Sequence, residues 1–202
     1  MIEKNEDSNQ SYKTATSGLP DSSNKTYSFY WGEYGTDQTG ITNYDKVDGS
    51  NDFGFLKPEQ DSYKGTPYLP DDVSSWTNGA LSDWDGKANS NVLKGVTTGG
   101  SSYTSYATAG HVLNTFLASA DAKGYDDWYI PSCGQLSLIY MYLISVNNAL
   151  LAIGGQPLDT RYYWSSSEHS SNSGWIVLFN NGRTFTRYKR LTSSVRFVRD
   201  IE

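Results

Sequence analysis

The sequence predicts an α+β fold. Two stretches with helical periodicity lie between about Thr104 and Gly155, and after Leu158 the apolar period shortens to that of strands. A run of helices followed by a run of short strands, rather than strict alternation, favours segregated helices beside an antiparallel sheet. No internal repeat of 20 to 50 residues is visible, which excludes a solenoid or propeller.

Taken in order, Met1 to about Asn24 is polar, Ser-rich and aperiodic, and reads as an arm or linker ahead of one domain at 25–202. Tyr27 to Trp31 is a short aromatic strand that opens this domain. From Gly32 to Asn91 the chain is dense in Gly, Asp, Asn, Pro and Ser, so loop is expected there, tacked down by scattered Trp and Tyr. The first helix is placed at about Thr104 to Lys123. Ala109, Val112, Leu113, Phe116 and Ala120 share one face, and Gly124 supplies the stop. The second opens on a capping box, Ser132 and Gln135, behind Pro131. Leu136, Ile139, Tyr140, Leu143, Leu150 and Ile153 continue it to Gly154 and Gly155. Leu138, Met141, Tyr142 and Ile144 cover another face, so this helix is expected to be buried on more than one side. Strands follow at Tyr162 to Ser166, Gly174 to Phe179, Thr184 to Tyr188 and Ser194 to Val198, with Asn180, Asn181 and Gly182 as a hairpin turn.

Composition narrows the function classes. The chain has 202 residues, enough for one packed domain, and 14% aromatic residues, far more ring surface than a disordered polar chain carries. No apolar run approaches the ~20 residues of a membrane span, so no membrane insertion is expected. The start, MIEKNEDSNQ, has neither a basic n-region nor an apolar h-region of a secretion signal. Net charge is -6, yet from Arg161 onward seven basic residues face three acidic ones, which leaves an acidic body and a basic final fifth. Such a tail suits an anionic partner or pairs with the body itself. Arg183, Arg187, Lys189 and Arg190 around Tyr188 also have the composition of a nucleic-acid face, but the acidic chain as a whole argues against that partner.

Catalytic and metal chemistry find few candidates. Cys133 is the single cysteine and His111 and His169 are the two histidines, so neither an internal disulfide nor a zinc site of the usual kind can assemble. Ser165 to Ser167 beside Glu168 and His169 carry hydrolase letters without a nucleophile elbow. Acidic clusters at Asp45, Asp48, Asn51 and Asp52 and at Asp83, Asp85 and Asn89 offer hard oxygens for calcium, but neither fits the EF-hand loop, whose twelfth position counted from Asp83 is Lys94. The expectation is therefore no enzyme, no cofactor and no assigned metal.

The string Asp126 to Ser132, the helix opening Gln135-Leu136, then Tyr163 to Glu168, Gly174-Trp175, Phe179, Gly182 and the closing Val195 to Arg199 resembles the DUF1566 or Lcl C-terminal family. Ser82 to Asn89 is similar to members from gut bacteria and their phages. The likeness spans about Leu81 to Arg199. It implies a C-type lectin-like fold in which two helices accompany antiparallel sheets and the last strands present a ligand face. Some proteins of this type are variable targets of diversity-generating retroelements, in which Asn codons on one surface are mutagenised while the scaffold is kept. Such mutagenesis cannot yield Lys, Glu, Gln, Met or Trp when the third base is a pyrimidine. Between His169 and Phe197 only Trp175 and Lys189 belong to that excluded set.

On this resemblance the variable, ligand-binding region is about 162–199. Its candidate residues are His169, Ser170, Ser171, Asn172, Ser173, Ile176, Leu178, Arg183, Thr184, Thr186, Arg187, Tyr188, Arg190, Leu191, Thr192, Ser193, Ser194 and Phe197. If Trp175, Val177 and Phe179 face the core, Ile176 and Leu178 point the other way and form an apolar patch for a partner, or a second buried face. The implied partner is a protein or glycan receptor on a target cell, met from a virion or bacterial surface. Two other readings remain: a calcium-assisted carbohydrate-binding lectin or adhesin, and a structural fibre subunit. The E-P-N or Q-P-D triplet of calcium-dependent lectins is missing, since Gln156-Pro157 is followed by Leu158. The formylglycine-generating oxidases of the same fold need paired cysteines, and Cys133 stands alone.

Overall fold

The computed structural model describes residues 28–45 and 79–200, and the N-terminal arm and the residues Asp48, Asn51 and Asp52 lie outside them. The described part combines helices with a three-stranded antiparallel sheet, an α+β arrangement. Four α-helices precede the strands: α1 (Gly86–Leu93), α2 (Ala109–Leu117), α3 (Cys133–Met141) and α4 (Leu143–Ala152). The sheet follows as β1 (Tyr162–Ser170), β2 (Ser173–Leu178) and β3 (Arg183–Tyr188), in that spatial order. At the β2–β3 turn Gly182 takes φ +74° and donates its N–H to Leu178 at 2.8 Å. That left-handed conformation is one glycine adopts without steric cost.

Local sequence explains the helix starts. Thr108 caps α2 by accepting the N–H of His111, and Ser132 with Gln135 forms the expected capping box on α3. The first helix is shorter than periodicity predicts, because Thr104 to Thr108 leads in as loop and Ala120–Ala122 is a separate 3-10 turn. The second helix is two. A break at Tyr142 turns α4 by 79° relative to α3, and the second apolar face is not buried: Leu138, Tyr142 and Ile144 are exposed, Ile144 by 80%. No single described helix is long and apolar enough to cross a membrane. Within the expected loop, α1 was masked by poor helix formers (Gly86, Asn89, Ser90, Asn91), and tertiary contacts make up the difference.

The sheet is buried on both faces, and this decides the site. Trp164 and Ile176 sit in one cluster with Phe29, Trp31, Leu113, Phe116, Trp128, Ile130 and Phe197. On the other face Tyr163, Val177 and Phe179 pack against Leu136 and Leu150, joined by partly buried residues of α3 and α4, while Trp175 packs on Leu81 and Cys133. Trp128, Trp164 and Trp175 are all buried. The opening aromatic segment supplies single bridges rather than a strand: Phe29 pairs with Ser193 and Tyr30 with Thr108. Likewise Ser194 to Val198 is no strand, holding bridges of Ser194 to Tyr163 and Val198 to Tyr129.

Two polar centres hold these layers in register. Asp83 accepts hydrogen bonds from Asp85 N–H (2.9 Å), Asn89 Nδ2 (2.9 Å) and Ser167 Oγ (2.5 Å), joining the start of α1 to β1. Burial still raises its pKa above the usual aspartate value, although those bonds oppose the shift. At the other end Lys189 pairs with Glu168 out of contact with solvent, and donates to the Thr36 carbonyl at 2.7 Å.

Candidate functional site

A concavity of about 500 Å³ opens where the β1–β2 turn meets β3. It is lined by His169, Ser170, Asn172, Ser173, Phe185, Thr186, Arg187, Tyr188 and Leu191. The hairpin explains this convergence: Ser173 is opposite Tyr188 and Gly174 is opposite Arg187, so the turn and the end of β3 share one corner of the sheet. Among the described residues β3 is the edge strand of the sheet, and four of its successive residues reach the concavity.

Beside it lies a cluster of rings and one guanidinium. Tyr188 meets Tyr34 edge to face at 6.2 Å between centroids, and Tyr34 meets Tyr103 at 5.4 Å. The Arg190 guanidinium stands 4.9 Å from the Tyr34 ring centroid and 5.3 Å from that of Tyr188, and donates to Tyr103 Oη at 3.1 Å. That hydrogen bond and the neighbouring phenols push the Arg190 pKa further up. Tyr188 is half-exposed and Arg190 is exposed, a pairing of residue types that dominates binding energy at interfaces.

Arg187 occupies a different environment. It is half-buried, with its guanidinium 5.1 Å from the Tyr162 ring centroid and Nη2 3.4 Å from the Thr192 carbonyl. Its buried Nε has no hydrogen-bond partner. Burial lowers its pKa, the ordinary response of a cation taken from water.

The structure divides the sequence-derived candidates. It brings together His169, Ser170, Asn172, Ser173, Thr186, Arg187, Tyr188 and Leu191 at the concavity, with Arg190 beside it. Ser171 and Thr192 contribute carbonyls to Gly35 N–H and Arg187. Arg183 stands at the far end of β3, over the Phe185 ring. Ile176 and Phe197 do not join an outward face: both are core residues, since the reverse side of the sheet is itself covered. Ser173, Thr184, Ser193 and Ser194 are buried too, although Ser173 also lines the concavity, and Leu178 is half-buried. Sequence reasoning did not name Tyr34, Tyr103 or Phe185 for the site. Tyr34 comes from the segment read as loop, where only its aromatic character marked it as an anchor, and Tyr103 falls between that segment and the first expected helix.

No protein-family model matches the chain, and no curated protein does.

The other candidates read as structural parts. Cys133 is buried at the start of α3, and burial pushes its thiol well above the ordinary value, away from the reactive thiolate. Glu168 is held by Lys189 and by the Gln38 N–H at 3.1 Å, within the interior. The Asp83 carboxylate is occupied by the Asp85 N–H and the Asn89 amide, and among the described residues no group of three His, Cys, Asp or Glu is arranged to hold a metal.

Proposed function

We propose that this protein is a non-enzymatic binding module, a retroelement-diversified variable protein of C-type lectin-like fold that meets a receptor on a target cell from a virion or bacterial surface. The observation that carries the reading is convergence. Of the nine described residues lining the concavity, eight are among those expected to vary on the strength of sequence alone. The contact face consists of these residues with Tyr34, Tyr103 and Arg190. Rings supply area at low entropic cost, and Arg190 supplies directional donors. Ile176, Thr184, Ser193, Ser194 and Phe197 belong to the scaffold in this reading.

The fixed residues between the contact positions have reasons of their own. Trp175 fills the interior, and Lys189 closes a buried ion pair, so neither tolerates random replacement. The test has two parts. The DNA beside the gene is expected to hold a reverse transcriptase and a near-copy of the codons for about 162–199. Labelled protein is expected to bind a subset of intact bacterial cells, and Tyr188→Ala together with Arg190→Ala to remove that binding with only a small fall in melting temperature. Uniform binding to all cells, unchanged in the double variant, would place the contact elsewhere.

A further inference from the structure

Among the described residues lining the concavity, Arg187 is the one ionised side chain with an unpartnered buried nitrogen, and none is a carboxylate. A guanidinium offers five donors in a fixed fork, of which the described contacts use one, in a 3.4 Å bond to the Thr192 carbonyl. A donor left unsatisfied away from water is costly, and the Tyr162 ring 5.1 Å from the guanidinium gives a cation–π contact but no acceptor for the buried Nε. Arg187 forms no ion pair with Asp or Glu among the described residues. The same concavity is lined by Ser170, Asn172, Ser173 and Thr186, whose hydroxyl and amide groups both donate and accept, and by the half-exposed Tyr188.

We infer that this concavity is a binding site for an acidic saccharide, with the sugar carboxylate held by Arg187 and the ring hydroxyls by Ser170, Asn172, Ser173 and Thr186. The inference rests on the binding-module reading and names the ligand class of its site. A carboxylate matches the guanidinium fork in a way that a hydroxyl does not. Neighbouring groups that donate and accept suit a ring carrying several hydroxyls, whereas a bare acid or an acidic peptide side chain would use the fork alone. A volume of about 500 Å³ falls within the usual range of small-molecule sites. The acidic body disfavours anions while the basic final fifth, which holds Arg187 and Arg190, attracts them, and none of the described lining residues is acidic, so an acidic ligand is favoured at this corner.

The experiment titrates isotope-labelled full-length protein with methyl glucuronide, methyl glucoside, acetate and a tri-glutamate peptide, following the Arg187 Nε–Hε and Tyr188 ring resonances. The two glycosides differ at one carbon, carboxylate against hydroxymethyl. Saturable shifts are expected with the glucuronide, at an affinity about 10- to 100-fold above the glucoside, the range of a charged hydrogen bond. Arg187→Gln should abolish the preference. Arg187→Lys, which keeps charge without the fork, should reduce it about tenfold and serves if the first variant fails to fold. Equal response to both glycosides, no saturable shift, or acetate or peptide binding as tightly as the glucuronide would each overturn the assignment. Loss of cell binding in the Tyr188 and Arg190 double variant, with no glucuronide response, would leave the binding-module reading standing and remove only the saccharide.

Discussion

Lys189 and Glu168, 21 residues apart in the chain, form an ion pair with both side chains fully removed from solvent, beneath the site and against the face of Trp31. The pair ties the end of β3 to the end of β1, and Glu168 also accepts the Gln38 N–H, so three chain segments meet on one carboxylate. Burial pushes the Glu168 pKa up and the Lys189 pKa down, while their mutual attraction opposes both shifts. Removing one partner leaves the other as an uncompensated buried charge. Lys189→Met or Glu168→Leu alone should therefore cost about 3 to 5 kcal/mol. The double replacement should recover most of that loss, as a denaturant double-mutant cycle would record. Additive losses would show that each residue acts independently.

A second prediction concerns Gly110 in α2. Helix propensity alone favours Ala over Gly by about 1 kcal/mol. Here a Cβ would fall inside the carbonyl of Leu93, where α1 ends against α2. Backbone cannot move aside as a flexible side chain does, so the steric term reverses the sign. Gly110→Ala is expected to lower the melting temperature and Gly124→Ala, whose added Cβ meets nothing within 4 Å but has φ +78°, to cost about 1 kcal/mol or more from backbone strain. A more stable Gly110→Ala variant would contradict this packing.

Acid titration separates two aspartates. The Arg199 Nε atom, 3.0 Å from Asp127, holds that carboxyl below the ordinary value, while burial lifts Asp83 above it. A depressed folded pKa contributes stability that is present above the unfolded value of 3.8 and is lost as pH falls through the folded value. Asp83 has the opposite sign, contributing fully below 3.8 and losing that contribution as pH rises through its raised value. Carbon-detected carboxyl titrations should place the midpoints on opposite sides of 3.8. Asp127→Asn should cost about 0.5 kcal/mol at neutral pH, since the pair is partly solvated, and nothing well below its folded midpoint.

The α+β class, the capping box at Ser132 and the first three of the four expected strands were legible in the sequence, because each rests on local periodicity or turn chemistry, whereas Ser194 to Val198 forms only isolated bridges. The sequence did not make visible that both sheet faces are covered. Alternation correctly places Trp175 and Ile176 on opposite sides, but what covers the second side, Trp31 and Phe116 among others, comes from distant segments. The same reason hid Tyr34 and Tyr103, which reach Arg190 only through the tertiary fold. The α3–α4 break was hidden because apolar residues continue across Tyr142 without Pro or Gly to mark it.

The last prediction separates scaffold from contact face within one stretch of chain. Ile176 and Phe197 are core, 0% and 4% exposed, whereas Tyr188 is 50% exposed at the corner of the sheet. Ile176→Ala should cost about 2 to 5 kcal/mol and Phe197→Ala about 3 to 5, because neither cavity can fill with water. Tyr188→Ala loses ring contacts with Tyr34 and Arg190, both near the surface, and should cost under about 1 kcal/mol in stability. Its binding to target cells should fall about 5- to 100-fold, the range of a moderate to strong interface anchor. Melts and cell-binding titrations on the three variants test the division together. If Tyr188→Ala melts as low as Phe197→Ala, the ring is a structural clamp between β3 and the Tyr34 loop, and the contact face must be drawn without it.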